Sequence, residues 1–443
     1  MASLWRLVQA MAILAILVAP TACGSSAADT PSSSPSPASS TTPTAAQSLW
    51  RTGVLSYPDD ILAPATTDVG ERSFPYRDIA VSAGGLQLWD ASARYATLTD
   101  RDSSQLRLVD LRTGKSRVVL ASPFTSNHPP TSMWVKARAA MREVHGAEVT
   151  PTRFLSAEVS GSRLVWREGV CLTTGGFAVI SVAIYTAPIG PRMRLGDPQL
   201  VALALPESVP DLGNVPVDWY EPGDWLDFAL DGNRILLERQ DQHGTYTPEV
   251  VDLETKHSTA LLGSVHNSRG IESALLGKRM LVCLMTREDS GRLLFYDLRR
   301  GSLPMNVALL PETDLIGTDL RGFALGKDGS VAWAKWYSPS EMSTDDFEAV
   351  YLISPSQPVR CVTADGGEPA FFGKTMLWIG LKNGSRWWLG GADTETLERF
   401  SVAGADRLGA INFLHVAGSG HTAVVLVPDG ERGVSTLRVF DLE

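Results

Sequence analysis

Leu230-Asp231-Gly232-Asn233-Arg234-Ile235 and Val251-Asp252-Leu253-Glu254-Thr255 hold two different chain reversals within one short span. In the first, two apolar β-rich runs flank a turn whose Gly supplies the positive φ that a two-residue hairpin needs. In the second, a strand enters and Asp closes the turn by bonding nearby backbone. A Gly hairpin, a strand pair, an Asp turn and a further strand together make one four-stranded antiparallel unit.

Working outward, the same pair of reversals recurs. Further hairpins read Val159-Ser160-Gly161-Ser162-Arg163-Leu164, Leu276-Gly277-Lys278-Arg279-Met280, Asp328-Gly329-Ser330-Val331, Phe372-Gly373-Lys374-Thr375-Met376 and Ser419-Gly420-His421-Thr422-Ala423. Asp turns recur at Val109-Asp110-Leu111-Arg112-Thr113-Gly114, Tyr296-Asp297-Leu298-Arg299-Arg300-Gly301 and Phe440-Asp441-Leu442-Glu443, with weaker copies at Tyr351–Ser354 and Ala392–Glu395. A repeat in the mid-forties of residues with four strands per unit is the signature of an all-β propeller. The expected fold is a seven-bladed β-propeller of four-stranded antiparallel blades over 79–121, 153–203, 226–262, 271–309, 319–363, 368–402 and 411–443. One short helical insertion is expected at Ser132–Gly146, where Met133, Ala137, Met141 and Val144 share a face. The first unit lacks the aligned Gly hairpin. The last unit reaches Glu443 one strand short, so its fourth strand is expected from elsewhere, with Leu49-Trp50-Arg51-Thr52-Gly53-Val54-Leu55 as the candidate.

The start of the chain reads as targeting. Residues 1–23 are expected to be a lipoprotein signal peptide: Arg6 supplies positive charge, and Leu7 to Pro20 is apolar but short for a membrane span. Pro20-Thr21-Ala22-Cys23 is similar to a bacterial lipobox, which makes Cys23 the lipidation site. Residues 24–47 are two-thirds Ser, Thr or Pro with one charge, Asp29. Such a composition favours a disordered tether spanning roughly 25–30 Å. The propeller domain would then occupy 48–443, held outside the cytoplasm at the membrane.

The net charge of −10 argues against nucleic-acid binding through the phosphate backbone. Cys171, Cys283 and Cys361 fit no zinc spacing; they read as small core residues, or as one disulfide plus a free thiol in an oxidising compartment.

From about residue 48 onward the chain resembles the bacterial envelope propellers of the TolB and quinoprotein-like superfamily, through its repeat length, Asp-Leu turns and Gly hairpins. The resemblance is architectural and implies no functional residue.

No catalytic signature stands out: there is no nucleophile elbow, zincin motif, phosphate loop or dinucleotide fingerprint. No cofactor and no metal are expected. Trp166, Trp333 and Trp378 occupy like places on their second strands and read as blade-interface packing. Asp-bearing turns such as Glu288-Asp289-Ser290-Gly291 and Pro428-Asp429-Gly430-Glu431 read as turns, and His415 with His421 lacks a third ligand. One pattern does suggest a site. The position eight residues before each turn Gly is Arg153, Asp224, Arg269, Arg321, Asp365 or Asn412, polar in every case. In a propeller this is where the innermost strand begins, so the six would ring the mouth of the central channel. Arg there can fork onto carboxylate, phosphate or sugar hydroxyls, while Arg–Asp rim pairs are the plainer alternative. The expected partner is an envelope protein or cell-wall glycan, bound by a monomer. The alternative is a glycoside hydrolase or lyase using channel-mouth carboxylates, with Asp227, Glu272 and Glu368 as a further tier.

Overall fold

The computed structural model describes residues 53–54, 69–81, 85–100, 103–121, 153–172, 178–204, 225–240, 246–261, 271–276, 281–286, 292–298, 306–309, 319–337, 347–354, 357, 359–364, 366–382, 386–405, 416–429 and 434–443. The signal peptide, Cys23, the tether and the expected helix at 132–146 lie outside them.

The described strands form seven sheets of an all-β propeller. Six are blades whose four antiparallel strands follow one another in sequence. Blade 1 holds Gln87–Ala91, Tyr95–Thr99, Leu106–Asp110 and Ser116–Leu120, and blade 2 holds Arg153–Ser160, Arg163–Leu172, Ala178–Pro188 and Gln199–Ala204. Blade 3 runs from Trp225–Asp231 to Ser258–Ala260, blade 4 from Ile271–Leu276 to Asn306–Leu309, blade 5 from Asp319–Leu325 to Arg360–Thr363, and blade 6 from Gly366–Phe372 to Arg399–Val402.

The remaining sheet is composite. Ala417–Ser419, Thr422–Asp429 and Val434–Asp441 are completed by Tyr76–Val81, which pairs antiparallel with the last of them from Tyr76↔Phe440 to Val81↔Ser435. The expectation of seven like units is therefore corrected to six blades of consecutive strands plus this closing sheet. Two details are corrected with it. The strand Tyr76–Val81, part of which was assigned to the first unit, belongs to the closing sheet. The expected closing segment around Leu49–Leu55 does something else: Gly53–Val54 pairs in parallel with Asn306–Leu309 at the outer edge of blade 4. Gly70–Arg72 likewise adds in parallel to Arg399–Val402 of blade 6. The closing strand wins its place by burial. Ile79 and Val81 enter an apolar cluster with Leu86, Leu88, Leu98 and Leu111 of blade 1 and Val424, Leu437 and Val439 of the closing sheet. Each such side chain contributes about 1.5–3 kcal/mol.

The inner strands meet in succession around a closed circuit, from Gln87–Ala91 through Arg153–Ser160 and the inner strands of blades 3 to 6, then Ala417–Ser419 and back to Gln87–Ala91. The core is divided among the seams between neighbouring sheets, where alternate side chains interlock.

Local chemistry explains the hairpins. Gly161, Gly232, Gly373 and Gly420 have φ between 59° and 70° and lead two-residue turns. Blade 1 turns without Gly: Ser92 Oγ accepts the N–H groups of Arg94 (3.3 Å) and Tyr95 (3.0 Å).

Candidate functional site

The two ends of the ring differ in chemistry. At the end where the inner strands finish lie the Gly hairpins and the Asp turns, and the Asp turns satisfy their own polar groups. Asp110 Oδ1 accepts from the backbone of Arg112 (3.0 Å) and Thr113 (3.1 Å). Asp252 does the same for Glu254 (3.1 Å) and Thr255 (2.9 Å), and Asp393 for Glu395 (2.9 Å) and Thr396 (2.8 Å). Short turns whose donors and acceptors are already paired offer a partner little.

The other end is where the inner strands begin. There five of the links between an outer strand and the next inner strand are longer, from Leu120 to Arg153, Ala204 to Trp225, Ala260 to Ile271, Leu309 to Asp319 and Val402 to Ala417, while Thr363 to Gly366 is short. Recognition tends to reside on such connections over a rigid frame.

Arg153 opens the inner strand of blade 2, opposite Gly169, and is half-buried. Arg321 is the third residue of the inner strand of blade 5, opposite Ala334; its side chain lies outside the described residues. Asp224, Arg269, Asp365 and Asn412 also lie outside them. In sequence, Asp224 and Asp365 come immediately before the inner strands of blades 3 and 6, and Arg269 two positions before that of blade 4. Of the second tier, Asp227 pairs with Glu238 and Glu272 with Met285 in their hairpins, their side chains again outside the described residues.

Glu368 is described, half-buried and at φ 52°. It sits in a bulge of blade 6 between Gly367 and Ala370, facing a matching bulge of blade 5 between Arg321 and Ala324. Gly322 in that bulge has φ 56°, and a Cβ there would lie 2.5 Å from Glu368 Cα. The inner strands of blades 5 and 6 thus touch backbone to backbone near the mouth, a contact that requires Gly at 322.

The three Trp on second strands are fully buried, as core packing demands. Trp166 stacks on Tyr185 with centroids 5.6 Å apart, and Trp333 on Tyr351 at 5.8 Å. In blade 6 the Tyr position is Gly390, directly opposite Trp378, and the indole lies over that glycine.

Blade 2 carries a feature that the sequence reading missed. Trp166 Nε1 donates to Glu168 Oε1 at 2.7 Å, and Glu168 is only 1% exposed. Burial pushes its carboxyl up to about 8, against the opposing effect of the Trp166 hydrogen bond. Tyr185 is pushed up to about 12, by burial first and then by the Glu168 charge. The signal lay in Trp166-Arg167-Glu168: in a strand, Glu two residues after a core Trp points into the same core.

Cys361 is half-buried and its Sγ donates to the Thr363 carbonyl at 3.5 Å; the strands bearing Cys171, Cys283 and Cys361 belong to blades 2, 4 and 5. No group of three metal-ligating side chains occurs among the described residues. His421 is exposed, 3.7 Å from Glu443, and His415 lies outside the described residues.

No family model matches the chain, and no curated protein does. Among solved structures, it is similar to TolB from Acinetobacter baumannii at 13% identity and TM-score 0.38, covering 73% of this chain and 65% of that one. A chain of the Mitotic Checkpoint Complex is similar at 12% identity and TM-score 0.45, covering 88% of this chain and 100% of that one. YCF48 bound to D1 peptide is similar at 11% identity and TM-score 0.46, covering 85% and 98%. This chain thus spans just under two-thirds of the TolB chain. None of these likenesses assigns it a function.

Proposed function

We propose that this chain is a non-catalytic extracytoplasmic lipoprotein, anchored through Cys23 and the Ser/Thr/Pro tether, whose propeller binds a protein or cell-envelope ligand at the mouth where the inner strands begin. The observation that carries the proposal is the contrast between the two ends. One end carries the Gly hairpins and the internally bonded Asp turns of Asp110, Asp252 and Asp393; the other carries five of the longer connections and the charged starts of inner strands, Arg153 among them. A rigid frame that presents varied loops and Arg forks is suited to recognition rather than turnover.

The test is a pull-down from envelope extracts with the wild-type chain and a triple variant, Arg153→Ala, Arg269→Ala and Arg321→Ala. Loss of a specific partner in the variant is expected. Identical partners and affinities for both chains would remove the mouth from consideration. Cys23→Ser should abolish fatty-acid labelling and release the chain from membranes; labelling that persists in that variant would refute the anchor.

A further inference from the structure

Glu168 is a carboxyl group shut away from water between two blades, and the binding reading makes no use of it. On its strand it shares a face with Trp166, opposite Phe154 of the inner strand and Ala183 of the third strand. That face is turned to blade 1, whose Tyr95, Leu106 and Leu108 join Phe154, Ala157 and Trp166 in one apolar cluster. The Trp stack does not by itself require an acid. Trp333 and Trp378 are as deeply buried, and their Nε1 atoms have no hydrogen-bond partner among the described residues. The residues two positions on from them are Lys335 and Gly380. Blade 2 alone among these three has a carboxyl group there.

Several of the other charged and titratable groups on the flanking elements have partners of their own, Arg107 donating to Ser116 Oγ at 3.4 Å and Asp110 accepting within its own turn. On blade 1, Asp90 accepts the Val159 N–H at 2.7 Å, and Asp100 accepts those of Ser104 (2.6 Å) and Gln105 (3.0 Å). Tyr95 lies under the Arg94 guanidinium, 4.9 Å from its ring centroid. On the inner strand of blade 2, Glu158 accepts the Leu230 N–H at 2.6 Å, and Arg153 lies one position beyond Phe154. Arg167 alternates to the opposite face. Tyr185, on the third strand, is raised first by burial and then by the Glu168 charge.

We propose that Glu168 is a proton-dependent latch at the seam between blades 1 and 2: with its proton it seals the seam around Trp166, and without it the seam loosens near the mouth. Its position carries the idea: at 1% exposure, beside Trp166 and against an apolar cluster, an ionised carboxylate loses its hydration. The sign follows from linkage. The folded carboxyl titrates at about 8 against an ordinary 4.5, so the folded chain holds the extra proton between those values. Stability therefore falls as pH rises through that window, and the effect vanishes below it, where both states are protonated.

The experiment is urea unfolding of the full chain from about pH 5 to about pH 9, wild type beside Glu168→Gln, with native-state hydrogen exchange over residues 95–99 and 163–172. Gln keeps an acceptor for Trp166 and cannot titrate. Relative to the variant, the wild-type unfolding constant should rise by more than about tenfold between about pH 6 and about pH 8. Exchange in those strands should also outrun its intrinsic pH dependence in wild type alone. Matching pH profiles in the two chains would overturn the proposal. If the Gln variant fails to fold, infrared spectroscopy of the wild type decides. A buried protonated-carboxyl band near neutral pH that fades as the pH is raised supports the latch, and its absence near neutral pH overturns it.

Discussion

Arg438 grips Asp78 through two parallel hydrogen bonds, Nε to Oδ1 and Nη2 to Oδ2, each 2.7 Å, although 360 residues separate them. This fork joins the closing strand to the last strand of the chain. The same guanidinium lies over the Tyr76 ring at 4.6 Å and donates to the Gly404 carbonyl in the turn after blade 6. Asp78 is 42% exposed, so water screens the pair. Asp78→Ala should cost about 1 kcal/mol or less. Arg438→Ala should cost more, about 1–3 kcal/mol, because the ring contact and the link to Gly404 go with it. A double-mutant cycle in urea checks the difference; equal losses would mean that the ion pair is all that Arg438 contributes.

The closing strand should behave as an integral part of the ring. A chain beginning near residue 69 keeps Gly70–Arg72 and Tyr76–Val81 and should melt cooperatively. A chain beginning at residue 82 loses Phe74, Ile79 and Val81 from two apolar clusters and bares the edge of Val434–Asp441. It should aggregate or remain unfolded. Size-exclusion chromatography and circular dichroism melting separate the two outcomes.

Gly390 and Gly161 are both glycines for different reasons, and alanine separates them. A Cβ at 390 would stand 2.5 Å from Trp378 Nε1, inside a packed seam. Gly390→Ala should therefore cost about 1–3 kcal/mol through overpacking. A Cβ at 161 would meet nothing within 4 Å, and only its φ of 59° resists substitution. Gly161→Ala should cost about 1–2 kcal/mol, and Gly161→Asn less, because Asn tolerates that conformation. Chemical denaturation of the three variants reads this order directly.

Asp252 should lend the fold an acid-side dependence. The Thr255 backbone N–H lowers its carboxyl below the ordinary 3.8; burial opposes this, while the Thr255 side chain, the Glu254 N–H and Arg234 assist. A depressed folded value means stability that is present above 3.8 and lost as pH falls through the folded value. Asp252→Asn keeps an acceptor without the charge, so its stability should fall less steeply on acidification than that of wild type. Denaturant midpoints between about pH 5 and about pH 2 test this.

Much of this architecture is legible in the sequence. Gly232 and Asp252 announce their turns because both reversals are decided within a few residues, by a positive φ in one case and by a side chain bonding its own backbone in the other. Trp166, Trp333 and Trp378 were recognisable as core from their strand positions alone. The mouth was legible only as a column of polar residues. Arg153 does open an inner strand, yet a charge at a strand start reads alike whether it serves a ligand or the solvent. Glu168 was passed over because no local rule tells an acid on a half-buried strand from one sealed by the neighbouring blade.

The sequence by itself determined the repeating hairpins and the Asp turns, since each depends on residues close together in the chain. Only the tertiary structure decided that the closing strand is Tyr76–Val81, while Gly53–Val54 and Gly70–Arg72 line the edges of blades 4 and 6. Several β-prone segments near the start could satisfy an open edge by backbone pairing alone. The choice among them rests on which one buries its alternate side chains against blade 1, and that surface does not exist until the ring closes.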